Sequence, residues 1–167
     1  MSARTQPPVA EPSVGREPEA GNYFVAAYPP FSCWETTRVP ALHEALNQPP
    51  SAEPLGLYVH VPFCQRKCDY CYYLSYIGQP AAVVNGYIDS LAAELSLYAL
   101  RRTIDGRPLA FIYFGGGTPS MLSATQLERL MTGLKSALPW RDVREVTFEC
   151  APRSVRREFL TALRDAG

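Results

Sequence analysis

From Leu55 onward the apolar positions change period in a regular order. Leu57 to Val61 is a short β-rich run. Val84, Tyr87, Ile88, Leu91, Leu95 and Tyr98 then recur at helical spacing, which predicts a helix from Val83 to about Arg102. Leu109 to Phe114 predicts a second strand, stopped by Gly115-Gly116-Gly117. Ser123 and Gln126 make a capping-box pattern, and the helix they open carries Leu127, Leu130, Met131, Leu134 and Leu138 on one stripe. Val143 to Cys150 predicts a third strand, after which Ser154 is placed to cap a helix bearing Val155, Phe159, Leu160 and Leu163. Strand followed by helix, three times over, predicts an α/β fold with a parallel sheet and right-handed crossovers. The helices should cover one face. Val59, Phe111 or Ile112, and Val146 or Phe148 are then expected to have too few partners on the other.

Upstream of this alternation the chain has a different character. Residues 1–21 are rich in Pro, Glu, Ala and Ser, bury little, and are expected to be disordered. Residues 22–54 form an aromatic N-terminal arm, with Tyr23, Phe24, Tyr28, Phe31 and Trp34 gathered around Pro29-Pro30. The proline pair forbids a continuous helix there. Aromatic side chains usually bury area first, so the arm is expected to pack on the core; a flap over an active site is the alternative. Residues 55–167 carry the βα units. The alternation stops at Asp165-Ala166-Gly167 where a fourth strand is due, so the sequence reads as a piece of a larger α/β protein.

Charge excludes some functions and leaves others open. Sixteen Lys plus Arg balance sixteen Asp plus Glu, so no basic excess argues for nucleic acid. No apolar run approaches the ~18 to 20 residues of a membrane span, and the first residues do not resemble a signal peptide. Five cysteines are an odd number for a disulfide framework. A reduced, cytoplasmic protein whose thiols hold a cofactor fits better. Three of the five form Cys64-x3-Cys68-x2-Cys71 on the loop after the first strand, and sites in parallel α/β folds form at the carboxyl ends of strands. Such a loop can wrap three thiolates around one iron–sulfur cubane and leave the fourth iron open for a ligand, unlike the four-cysteine electron-transfer clusters. His60 with the same cysteines is also a Cys₃His set for structural zinc, although His60 lies in the strand run and Pro62 intervenes. Free core cysteines are a third reading, against which Gln65, Arg66, Lys67 and Asp69 make the loop polar. Cys33 and Cys150 are given no role, Cys150 being expected in the core.

The Cys-x3-Cys-x2-Cys spacing resembles the signature of the radical S-adenosylmethionine (SAM) superfamily. Tyr58-Val-His-Val-Pro-Phe-Cys64 resembles the oxygen-independent coproporphyrinogen III oxidase-like family within it. Two later stretches agree in order and position: Phe114-Gly115-Gly116-Gly117-Thr118-Pro119-Ser120, and Glu145-Val-Thr-Phe-Glu149-Cys-Ala-Pro152. The resemblance runs from about Leu55 to Gly167 and implies the N-terminal half of a TIM-like radical SAM barrel, about three βα units with the C-terminal part missing. It implies that Cys64, Cys68 and Cys71 ligate a [4Fe-4S] cluster whose open iron binds SAM. Gly115, Gly116, Gly117 and Thr118 would form the loop that meets its methionine end, where side-chain-free residues allow close backbone approach. Glu149 would accept hydrogen bonds from its ribose or amino group, and Tyr58 and Tyr70 would contact it, Tyr70 on the adenine side. Without the resemblance, these are a tight turn, an exposed glutamate and packed tyrosines. No catalytic side chain is assigned. The implied chemistry is reductive cleavage of SAM to a 5′-deoxyadenosyl radical for oxidative decarboxylation or related chemistry on a tetrapyrrole or other small molecule. Its electron donor would be a flavodoxin or ferredoxin. One position departs from the pattern. The oxidase proper has a further Cys two residues past the third ligand, where this chain has Tyr73. Relatives without that Cys include haem-trafficking proteins and radical methylases or cyclopropanases.

Overall fold

A computed structural model describes residues 35–71 and 73–167. A short 3₁₀ turn at Thr36–Arg38 leads into α1 (Val39–Leu46). There follow β1 (Leu55–Val61), two short strands β2 (Phe63–Cys64) and β3 (Tyr76–Ile77), and then α2 (Ala81–Ala99). β4 (Leu109–Gly116), α3 (Ala124–Ala137), β5 (Glu145–Phe148) and α4 (Arg157–Asp165) complete the chain. β1, β4 and β5 form a parallel sheet in the order β1-β4-β5. The fold is therefore the parallel α/β sheet that the alternation of periods predicts, and it is consistent with the partial barrel that the resemblance implies.

One face of the sheet holds the core. Val59, Val61, Ile112 and Phe114 are buried beneath Val84 and Ile88 of α2 and Leu127, Leu130, Met131 and Leu134 of α3. Phe148 stacks on Phe114 at 4.8 Å and meets Phe159 of α4 edge-on at 5.5 Å. Val59 at 3% exposure and Ile112 at 0% thus correct the expectation that they lack partners; of the residues named, only Phe111 is half exposed, at 49%. The period of two decides this. Its other phase, Tyr58, His60, Tyr113, Glu145, Thr147 and Glu149, forms the uncovered face, which is polar and aromatic rather than aliphatic.

Local chemistry explains the element ends unevenly. Ser123 caps α3 as expected, accepting from the Gln126 amide while the Gln126 side chain accepts from the Ser123 amide. Ser154 does not cap α4. That helix begins at Arg157, and its N-cap residue Arg156 provides no side-chain bond. The Ser154 hydroxyl is buried and engaged elsewhere, 2.6 Å from that of Ser120, which also accepts from the Ala151 amide at 2.9 Å. This pair ties the loop after β4 to the loop after β5. We expect Ser120→Ala to cost about 1 to 3 kcal/mol by leaving buried polar groups unpaired, measured by denaturant unfolding.

The described part of the arm does not enter the core, since α1 contributes no buried residue. It is held by the turn before β4. Thr103 donates its hydroxyl to the Ala45 and Gln48 carbonyls and its amide to the Leu46 carbonyl. That turn lies at the amino ends of the strands, away from the cysteine loop. Tyr23 to Trp34, Cys33 and residues 1–21 lie outside the described residues.

Candidate functional site

Three loops meet at the carboxyl ends of the strands. The first leaves β1 at Pro62. β2 and β3 pair in parallel, and the Tyr76 amide donates to the Pro62 carbonyl at 2.8 Å, so the loop is clamped at its mouth. Between these strands the chain bulges outward, with 65–70 exposed and a tight turn from the Cys68 carbonyl to the Cys71 amide. The sequence pattern shows the cysteines but not this two-strand clamp, whose strands have only two residues each.

The second loop runs alongside the first. The Gly117 amide donates to the Val61 carbonyl and the Thr118 amide to the Phe63 carbonyl, both at 2.8 Å. A Cβ on Gly117 would lie 2.7 Å from the Phe63 carbonyl oxygen and 2.9 Å from Cys64 Sγ. The Thr118 hydroxyl donates to Cys64 Sγ at 3.6 Å. Cys64 is thus a buried thiol walled by the glycine loop, whereas Cys68 is exposed and Cys71 half-buried. Tyr70 is 81% exposed, and a hydrogen bond to Cys68 pushes its phenol up.

The third loop begins at Glu149. Its amide extends the ladder to the Phe114 carbonyl, and its carboxylate accepts from the Gly116 amide at 3.2 Å and the Tyr113 hydroxyl at 2.7 Å. Gly116 has a φ of +114°, which disfavours any side chain there. The structure therefore brings Cys64, Gly115 to Thr118 and Glu149 to one end of the sheet. Tyr58 lies on the open face nearby, bonded to His60 Nδ1 at 3.1 Å, and burial followed by the Glu149 charge pushes its phenol up. Cys150 is exposed and not in the core as expected; β5 ends at Phe148 and the chain turns outward.

Among the described residues no three His, Cys, Asp or Glu side chains converge on a single-ion position. His60 turns onto the open face toward Tyr58 and Gly116, away from a shared point with the cysteines. The three sulfurs likewise do not gather at one point. Beside this loop a cleft of about 580 Å³ is lined by Gln65, Arg66 and Cys68, by Thr118, and by 151–154. It gives a small molecule room against both Cys68 and Thr118.

Two residues in this region carry no role in a SAM site from the sequence pattern. Tyr113 could have been found by parity alone, since it lies two residues before Gly115 and hence on its face. His60 was visible only as a zinc candidate. Its imidazole is pushed down by burial, which the Glu149 charge partly offsets. A lowered histidine is neutral in the fold at a pH where the unfolded one has gained a proton. Its contribution to stability is then present above the ordinary value of 6.5 and is lost as pH falls below it toward the folded value. We expect an NMR titration to give a His60 midpoint below 6.5; a midpoint above it would contradict the burial argument.

Comparisons with known proteins match the chain to one superfamily. Residues 58–167 match the family model of the radical SAM superfamily. The chain is 37% identical to a heme chaperone HemW of Lactococcus lactis over 116 residues, 68% of this chain and 28% of the relative. It is 35% identical to an anaerobilin synthase of Escherichia coli O157:H7, over 74% of this chain and 28% of that one. It is 34% identical to an oxygen-independent coproporphyrinogen III oxidase of Synechocystis, over 68% and 24%. The solved structure of coproporphyrinogen III oxidase (HemN) from Escherichia coli, titled a radical SAM enzyme, superposes with a TM-score of 0.63. That match has 31% identity and covers 77% of this chain and 29% of that one. The chain thus spans less than a third of the length of these relatives.

Proposed function

The chain belongs to the radical SAM superfamily, and from that premise we propose that Cys64, Cys68 and Cys71 hold a [4Fe-4S] cluster at which SAM is bound and reductively cleaved. The observation that carries this reading is the meeting of three loops, with Cys64 Sγ against Gly117 and the Glu149 carboxylate against Gly116. Three thiols on one loop fit a cubane with one open iron. Given one electron from a flavodoxin or ferredoxin, the bound cluster supplies cleavage of SAM to methionine and a 5′-deoxyadenosyl radical. The chain's own residues do the rest. Gly115 to Gly117 admit the methionine end close to the backbone, and Thr118 donates to Cys64. Glu149 accepts from the ribose or amino group of SAM. Tyr58 flanks it on the open face, and the exposed Tyr70 is free to lie against the adenine. Residues 55–167 act as the N-terminal half of a barrel, with 22–54 as an arm. A reducing cytoplasm suits exposed thiols; among the described residues no helix is long and apolar enough to cross a membrane.

We further propose that the radical acts on a tetrapyrrole or another small organic molecule, by oxidative decarboxylation or related chemistry. A haem-chaperone role is a second reading, with radical methylase or cyclopropanase chemistry on the same scaffold also open. Tyr73 favours a reading other than the oxidase proper, and so do relatives named heme chaperone HemW. The Tyr73 ring tilts toward His60 at 6.4 Å between centroids, so the position of the missing Cys is taken by a bulky aromatic. The test is to incubate the full-length reduced protein with SAM and coproporphyrinogen III and to quantify 5′-deoxyadenosine and the divinyl product. We expect SAM cleavage with little divinyl product. Rapid, complete conversion would restore the oxidase reading, and stoichiometric haem binding without decarboxylation would favour the chaperone.

A further inference from the structure

We propose that Tyr113 is a positioning residue that orients the Glu149 carboxylate toward SAM; this rests on the reading of Glu149 given above. Tyr113 sits in mid-strand on β4, in register with Tyr58 of β1 and Thr147 of β5. All three face the open side of the sheet. The Tyr113 hydroxyl donates to Glu149 Oε1 at 2.7 Å, and the Gly116 amide donates to Oε2 at 3.2 Å. The Glu149 amide is itself bound to the Phe114 carbonyl at 3.0 Å. The glutamate is therefore held at its backbone and at each carboxylate oxygen.

This arrangement leaves the carboxylate usable. A carboxylate offers about four acceptor sites, and one is taken on each oxygen. Each oxygen keeps acceptor capacity toward the open face. A glutamate already fixed in one rotamer loses less conformational entropy when a ligand binds, which is the basis of preorganisation.

The phenol is supported in turn. Its ring stacks on Tyr58 at 6.0 Å with 22° between planes. Gly115 makes room for the pair, because a Cβ there would lie 2.8 Å from the Tyr113 ring and 3.1 Å from Glu149 Oε1. That glycine thus serves a protein contact as well as any ligand approach. The hydrogen bond to Glu149 pushes the Tyr113 phenol above its usual value, so it keeps its proton and acts as a donor. Glu145, on the same face of β5, accepts instead from Thr147 at 2.7 Å, so the two glutamates have separate donors.

Tyr113→Phe removes only the hydroxyl. The experiment measures SAM affinity by equilibrium binding to the anaerobically reconstituted, oxidised full-length protein, in which no turnover occurs. The variants are Tyr113→Phe, Glu149→Gln and the double change. We expect Tyr113→Phe to weaken SAM binding about tenfold, with iron content unchanged and with KM for SAM raised more than kcat is lowered. The double variant should bind no more weakly than Glu149→Gln alone, because the hydroxyl acts through that carboxylate. Glu149→Gln weakening SAM while Tyr113→Phe leaves it unchanged would overturn the inference and spare the reading of Glu149. Additive effects would also overturn it, by giving Tyr113 an independent contact. No effect from Glu149→Gln would overturn the reading and the inference together.

Discussion

Replacing any one of Cys64, Cys68 and Cys71 by alanine should abolish the iron–sulfur cluster of the anaerobically reconstituted protein. The unaltered protein should be brown and oxygen-labile, with about four irons per chain and an EPR signal on reduction. On the proposed ligation each thiolate would be the sole protein ligand of one iron, so losing one would open a second iron to solvent and to extraction. The three positions differ structurally, which makes the prediction stringent. Cys64 is 6% exposed and wedged under Gly117, while Cys68 is exposed at the lip of the cleft. A packing role would make Cys64→Ala costly and Cys68→Ala harmless; a ligand role makes both fatal to the cluster. Cys33→Ala and Cys150→Ala should retain it. Circular dichroism of the variants separates cluster loss from unfolding. Stoichiometric zinc with no iron signal would falsify the cluster assignment.

Gly117→Val should disrupt the same site without replacing a proposed ligand. Its first added atom meets the Phe63 carbonyl oxygen at 2.7 Å, Cys64 Sγ at 2.9 Å and the Pro62 carbonyl carbon at 3.0 Å. Two of these are backbone atoms, which cannot move aside as a flexible side chain can. The glycine loop must lift away from β2, and the amide bonds of Gly117 to Val61 and Thr118 to Phe63 are strained or lost. Overpacking together with two weakened hydrogen bonds gives a cost of about 2 to 4 kcal/mol. Thermal unfolding of the apo-protein should show that loss, and cluster loading should fall with it. Gly117 has no positive φ, so the effect comes from space and not from backbone strain. Normal stability and normal iron content in this variant would mean that the two loops do not approach as closely as described.

The division between what sequence and structure each reveal follows the range of the interactions. Local signals were legible. The alternation of periods marked β1, α2, β4, α3, β5 and α4, with ends displaced by a few residues because strand and helix termini depend on partners. The Ser123–Gln126 box was readable because both groups lie within one helical turn. The cysteine loop, the glycine loop and the Glu149 stretch were recognisable as motifs, and their places after consecutive strands put them at one end of the sheet by topology alone.

Tertiary structure decided what depends on residues far apart. Ser154 looked like a cap, yet its hydroxyl found Ser120, 34 residues away, and buried pairing outweighed a solvent-exposed cap. Alternation along a strand gave two faces but not which one the helices cover. Packing of α2, α3 and α4 chose the phase of Val59 and Ile112 and left Tyr58, Tyr113 and Glu149 on the open side. The clamp of β2 on β3 was too short to show any period, and the contact of Tyr113 with Glu149 spans 36 residues and two strands. From its sequence alone the protein's superfamily could be named, because the residue types and spacings of its motifs are local. How the groups are held, and by which neighbours, came from the sheet register, which is set by every strand at once.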